Sequence, residues 1–220
     1  MLDGRGLIKR RLGARLWLSG TWLGIMALLA LFAPLISPHD PLAQDLFAGR
    51  LPPFWVSGSD PAYLLGTDSL GRDVLSRLIH GAQIAFSVAL VAGLATALVG
   101  SLLGLLAGYM RGWVDVLISR LVDIWMAFPP VLFAILLIAV LGTGLTSIII
   151  AIVVIDWTRF CRVVRAEAMN QSAMDYVSSA VVAGRPRRDI LWREILPNVL
   201  PTIVALSTLE MGIAVIVEAI

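Results

Sequence analysis

Residues 84–109 read IAFSVALVAGLATALVGSLLGLLAGY. No charged side chain interrupts this stretch, and it exceeds the roughly 20 apolar residues that carry a helix across a hydrocarbon core. Small residues recur at every fourth position, at Ala92, Thr96, Gly100, Gly104 and Gly108. A spacing of four puts them on one helix face, and in lipid such a face lets a second backbone approach closely. That backbone belongs either to another helix of this chain or to a partner subunit.

Three further apolar runs flank this one. Residues 19–36 form the first predicted span, ended by Pro34, Pro38 and Pro41; its bulky residues and the lack of a small-residue cleavage site exclude a signal peptide. Residues 114–155 are apolar but broken at Pro129-Pro130 and at Gly142-Thr143-Gly144, and residues 199–220 form the last run. The composition agrees: 59% of the 220 residues are hydrophobic and 15% are charged, too little polar surface for a soluble domain. The pI of about 9.1 does not point to nucleic acid, because the basic residues lie in separate clusters between apolar runs and not on one soluble face.

The positions of those clusters set the topology. Of the 17 basic residues, only Arg50, Arg72 and Arg77 fall in the loop after the first span, among Asp40, Asp45, Asp60, Asp68 and Asp73. The others lie in the N-terminus, at Arg111 and Arg120, and in a segment containing Arg159, Arg162, Arg165, Arg185, Arg187, Arg188 and Arg193. The positive-inside rule assigns these to the cytoplasm. An even number of spans then separates Arg111 from Arg162, so two are predicted there, at 114–141 and 145–159. The expected layout is an all-α polytopic transmembrane bundle with five spans. Residues 1–18 are cytoplasmic, 19–36 form the first span and 37–83 an outside loop, and 84–220 form a core containing a cytoplasmic loop at 160–197. The chain stops at Ile220 inside an apolar run, from which truncation before a sixth span is expected.

Several polar residues stand out against this background. Asp115, Ser119 and Asp123 fall at i, i+4 and i+8 below the Pro129 break, with Arg120 placed to pair with Asp123. Charges in a span face a bundle interior or an aqueous path; local pairing at the cytoplasmic interface is the other reading of this stripe. Asp123, Phe128, Pro129 and Glu210 are therefore candidate pathway residues, and Glu218 is expected near the outer end of the last span. The cytoplasmic segment reads as two short helices, 169–183 and 187–196, broken at Gly184-Arg185-Pro186 and ended by Pro197. The first turns Met174, Val177, Val181 and Val182 toward one face. Such helices lie on a membrane surface or dock in a partner's groove. Gly184, at the break, is read as a position without room for bulk.

Absent motifs exclude much chemistry. Lys9 is the only lysine, so no G-x-x-x-x-G-K-[ST] phosphate loop exists. Cys161 is the only cysteine, and His39 and His80 are the only histidines, which leaves neither a thiol–imidazole nor a multi-histidine metal site. No catalytic residue, cofactor or metal is assigned.

Three segments together resemble the second permease of ATP-binding cassette (ABC) importers for dipeptides, oligopeptides and nickel. The first is Gly66-Thr67-Asp68-Ser69-Leu70-Gly71-Arg72-Asp73-Val74-Leu75-Ser76-Arg77, similar to the family's G-T-D-x-x-G-R-D-x-x-S-R run. The second comprises Ala107-Gly108-Tyr109, Gly112-Trp113-Val114-Asp115, Arg120, Asp123 and Ala127-Phe128-Pro129. The third comprises Asp175-Tyr176-Val177, Ala180, Gly184 and Ile195-Leu196-Pro197-Asn198. It is similar to the family's E-A-A-x-x-x-G coupling loop followed by I-L-P.

The resemblance implies a type I ABC importer permease fold and a sixth span beyond Ile220. It implies a peptide substrate, with nickel or another small solute as the alternative, and alternating access driven by ATP hydrolysed on partner subunits. The implied partners are a second permease, two ATP-binding subunits, a periplasmic substrate-binding protein and the lipid of the inner membrane, with no nucleic acid. It also decides for a partner groove as the home of the cytoplasmic helices. Asp175, Tyr176, Ser178, Ser179, Ala180, Gly184, Arg185, Ile195, Leu196 and Pro197 are then the ATPase-docking residues. The family's Glu-Ala-Ala is here Ser178-Ser179-Ala180, a lost carboxylate worth about 1–3 kcal/mol where such contacts are part-buried. Arg185, Arg187 and Arg188 are expected to compensate against acidic groups on the partner. A self-contained ion-coupled transporter is the reading from another class; it needs ionisable groups deep in the spans, for which only Asp123 and Glu210 qualify.

Overall fold

The computed structural model describes the backbone of residues 4–218 and the side chains of residues 17–216; the side chains of Glu218 and of the N-terminal basic cluster lie outside the described residues. The described chain is helical, and its one ladder contact is an isolated antiparallel bridge between Thr67 and Asp73. The helices are α1 (Gly4–Leu31), α2 (Ala33–Ile36), α3 (Val74–Met110), α4 (Gly112–Met126), α5 (Pro130–Leu141), α6 (Leu145–Ser172), α7 (Asp175–Val182), α8 (Arg187–Ile190) and α9 (Leu196–Glu218). The chain divides into two compact units, residues 1–87 and 88–220.

Each predicted span falls on helix, with different bounds. The first breaks at Phe32 (φ −98°, ψ 12°) and restarts as α2, where Pro34 sits in the first turn and needs no amide partner. The second begins ten residues early, at Val74, and runs 37 residues, about 55 Å at 1.5 Å per residue. The third is broken and not merely kinked: α4 and α5 meet at 87°. Pro129 is extended (φ −61°, ψ 124°) and Pro130 opens α5, because the residue before a proline is driven out of the helical region. The fourth continues past Arg159 to Ser172. Among the described residues, two helical runs qualify by length and apolarity to cross a membrane, Val74–Met110 and Arg187–Ile216, and α4 with α5 would make a third. Asp156, Arg159 and Arg162 weigh against α6 on that criterion, and the apolar part of α1, Trp17–Leu31, is shorter.

The expected helix stop at Pro197 does not occur. α8 passes through a π-helical turn, Leu191–Ile195, straight into α9. The widened turn gives the Pro197 ring the space it would otherwise take from the carbonyl one turn back. The Asn198 side-chain amide donates to the Glu194 carbonyl at 2.7 Å.

In the second unit α6 is the hub, packed against α4, α5, α7 and α9. The small-residue face of α3 lies along it. A Cβ at Gly104 would stand 2.7 Å from the Cys161 carbonyl oxygen and 2.9 Å from the Val164 Cβ. One at Gly108 would stand 2.7 Å from the Ala168 Cβ, and one at Gly100 would collide with Phe160 and the Trp157 carbonyl. Ala92 is fully buried with Val88, Ile152 and Ala214, and Thr96 is 1% exposed with its hydroxyl unpartnered. Gly93, one position off this stripe, serves α9 in the same way, at 2.8 Å from the Met211 Cγ.

Candidate functional site

The motif at residues 66–77 folds into a polar clasp within the first unit. Asp73 caps α3: its Oδ2 accepts the Ser76 amide at 3.0 Å and the Ser76 hydroxyl, as a helix N-cap requires. The Ser76 hydroxyl also accepts the His39 amide at 3.1 Å, and His39 stacks on Tyr63 at 5.0 Å. Thr67 is buried, its hydroxyl donating to the Ala48 carbonyl and accepting the Leu51 amide at 2.9 Å. Gly71 has φ +74°, and a Cβ there would run into the Asp45 carbonyl, so the motif needs glycine for both conformation and space. Asp68 closes the turn by accepting the amides of Leu70 and Arg72 and by pairing with the guanidiniums of Arg72 and Arg77. Desolvation raises the Asp68 carboxyl, but the Arg72 and Leu70 amides and the Arg72 guanidinium outweigh it and bring the pKa to about 2.

In the second unit three arginines of α6 meet three carboxylates. Arg165 grips Asp115 through two nitrogens, with Nη2 to Oδ2 at 2.8 Å. Arg162 lies 3.5 Å from Asp123, and Arg159 donates to Glu210 of α9 at 2.9 Å. The predicted Arg120–Asp123 pair does not form; Arg120 is exposed, and Asp123 turns to α6 instead. Ser119 completes the stripe by donating to Asp115 at 3.3 Å. Glu210 is 3% exposed, a buried carboxylate with a charged partner. Phe128 is exposed and stacks on Phe133 at 5.7 Å, beside the extended Pro129. The sequence reading missed the three arginines as partners because it counted them only as topology signals. Their spacing of three, which puts them along one side of a helix, was the available clue.

The segment expected to be cytoplasmic departs from expectation in its helix bounds. The first short helix starts at Asp175, because α6 runs on to Ser172 and Met174 is extended (ψ 152°). Its apolar residues split between two faces. Val177 and Ala180 are buried, whereas Met174, Val181 and Val182 are exposed, Val182 by 88%. Ser178 and Ser179 are exposed beside these outward valines. Ile195 is fully buried, Leu196 half-buried and Pro197 exposed. Tyr176 is half-buried and donates to the Gln171 amide oxygen at 2.8 Å. Gly184 has φ +75° with nothing within 4 Å of an added Cβ. It is thus required for its left-handed backbone, and the expected lack of room is not present in this chain. Arg185 does not face outward unpaired; it bridges to Glu194, which leaves Arg187 and Arg188 at the exposed tip.

Val177 and Ala180 enter the same hydrophobic core as Leu105 of α3, Phe160 and Val164 of α6, and Ile190, Leu191, Ile195 and Val199 at the start of the last helical run. The short helix is therefore bolted to the long helices through side-chain packing, with a second apolar face left outward.

Comparison with known proteins finds two family models and several relatives. The family model for the binding-protein-dependent transport system inner membrane component matches residues 100–220. That for the N-terminal TM domain of oligopeptide transport permease C matches residues 15–53. The dipeptide transport system permease protein DppC of Haemophilus influenzae is 38% identical over 192 residues, covering 87% of this chain and 65% of the relative. DppC of Escherichia coli K12 is 38% identical over 208 residues, 94% of this chain and 69% of the relative. The glutathione transport system permease protein GsiD of Pectobacterium atrosepticum is 33% identical over 202 residues, 91% of this chain and 65% of the relative. The chain thus spans about two thirds of the length of these relatives. On the match from Gly100 to Ile220 and the identity across most of its length, the chain belongs to the family of binding-protein-dependent transport system inner membrane components.

Proposed function

We propose that this chain is a permease subunit of an ATP-driven importer of small peptides and forms half of the translocation path. The observation that carries this reading is the core shared by α7 and the long helices. A force applied to the exposed face of α7 is transmitted through Val177 and Ala180 to Phe160, Val164 and Leu105, because a close-packed core transmits displacement and does not absorb it. ATP is hydrolysed on two separate subunits, whose closure moves α7. A second permease completes the path, and a periplasmic binding protein delivers the peptide. The chain sits in the inner membrane with its N-terminus in the cytoplasm.

In the docking surface, Val181, Val182, Ser178 and Ser179 touch the ATPase, with Asp175, Arg187 and Arg188 at the rim. Ala180, Ile195 and Leu196 act from beneath by holding the helix in place. Peptide as substrate rests on the dipeptide and glutathione permeases among the relatives. The test is uptake of labelled dipeptide into proteoliposomes holding the complete transporter. Uptake that needs ATP and the binding protein supports the reading. Uptake that persists without ATPase subunits and collapses with an uncoupler contradicts it in favour of an ion-coupled transporter.

A further inference from the structure

A cavity of about 130 Å³ opens where the α4–α5 break faces the middle of α6. Trp125, Phe128 and Phe133 supply its aromatic walls, and Asp156 and Arg159 its charges. The indole of Trp125 donates to the Val154 carbonyl at 2.6 Å and packs edge-on against Phe133 and Trp157 at 5.9 Å, which fixes the wall. Arg159 is committed to Glu210. Asp156, one turn earlier on α6, makes neither a hydrogen bond nor an ion pair among the described residues. The pocket region therefore holds two carboxylates and one guanidinium, and that cation is already engaged. A carboxylate within a membrane-spanning bundle is costly unless it is paired or faces an aqueous path. The deficit is one positive charge, beside aromatic faces that attract cations.

We propose that this cavity is a relay site in the translocation path, where Asp156 receives the ammonium group of the passing solute while the aromatic walls hold its first side chain. The inference rests on the peptide-importer reading and adds to it a specificity residue. The volume is below the roughly 300–1,000 Å³ of a pocket that engulfs a drug-sized ligand, so the site holds one end of a peptide and not the whole. Arg159 is kept from capturing Asp156 by its bond to Glu210, which leaves the acceptor open to each arriving amine.

The test uses the complete transporter carrying Met126→Cys, an exposed lining position outside the aromatic walls, as a reporter, with Cys161 replaced by Ser. Cys161 is buried, so its removal only guards against background labelling. The rate of maleimide labelling at position 126 is measured with alanylalanine, with N-acetyl-alanylalanine, and with sodium chloride alone against choline chloride. Alanylalanine at ten times its dissociation constant is expected to slow labelling about tenfold, and the acetylated peptide, which lacks the ammonium, is expected not to. Asp156→Asn in the reporter background should abolish the protection and Asp156→Glu restore it. Equal protection by both peptides overturns the inference, as does protection that survives Asp156→Asn. Protection by sodium alone assigns the site to an inorganic cation and overturns it too. The comparison of the two peptides requires no change at Asp156, so a poorly folding variant does not spare the proposal. Loss of ATP-driven uptake in the wild type would remove the importer reading itself. Intact uptake with no discrimination between the peptides would remove only the relay site.

Discussion

The clasp at residues 45–77 and the seam between α3 and α6 are both close approaches of backbone to backbone, achieved by opposite means. The clasp is held by polar atoms: Thr67, Asp68, Asp73 and Ser76 each satisfy main-chain groups in or next to the loop between α2 and α3. The seam is held by missing atoms: Gly100, Gly104 and Gly108 let α6 approach so closely that a Cβ has no place. Water competes for every hydrogen bond of the clasp, which limits each to about 1 kcal/mol net. A membrane-embedded seam has no hydrophobic drive and depends on van der Waals fit, so a single added side chain breaks many contacts at once. The loop tolerates loss by increments, and the seam does not.

That difference orders the expected effects of mutation. Gly104→Leu strikes the seam where main chain blocks relief, and overpacking of at least about 3 kcal/mol is expected. Size-exclusion chromatography in detergent should show loss of the monodisperse species. A folded, active Gly104→Leu chain would mean that α6 lies elsewhere. Asp115→Ala strands Arg165 beside the same seam and should cost about 2 kcal/mol, read as a lower midpoint of thermal unfolding. The double variant Asp115→Ala, Arg165→Ala should recover part of that loss, since no unpaired charge remains. Thr67→Val removes one buried hydroxyl from the clasp and should cost about 1 kcal/mol, with faster hydrogen exchange confined to the Leu51 amide and its neighbours. The smallest effect is that of pH on the clasp. Asp68 has its pKa lowered from 3.8 to about 2, so its contribution is fully present above the unfolded value and is lost as pH falls through about 2. Exchange of the Leu70 and Arg72 amides should therefore be protected at pH 5 and rise only toward pH 2. Protection that already fails at pH 5 would show that Asp68 does not hold the turn.

Much of the fold was legible because hydropathy and spacing report directly on burial. The helical class, the glycine stripe and the break at Pro129 all follow from local rules. Where the sequence misled, a long-range partner overrode the local rule. Asp123 chose Arg162 across the bundle over its neighbour Arg120, and Pro197 was absorbed by a π turn whose widening no single residue announces. The valines of α7 were read as one face although Val177 turns inward and Val182 outward, because two turns of helix are too short for the period to assign faces. The candidate site was legible through its motifs, whereas Asp156 was not. One carboxylate in an apolar run carries no pattern, and its significance comes from the partner it lacks.

The central claim is that the outward face of α7 meets an ATPase subunit. The most direct measurement places a photo-crosslinking benzoylphenylalanine at Val182, and at Leu98 on the exposed side of α3, in the full-length chain co-expressed with its partner subunits. The account predicts an adduct of permease plus ATPase mass from position 182 and none from position 98. A preparation that imports dipeptide but gives no ATPase adduct at position 182 would contradict it.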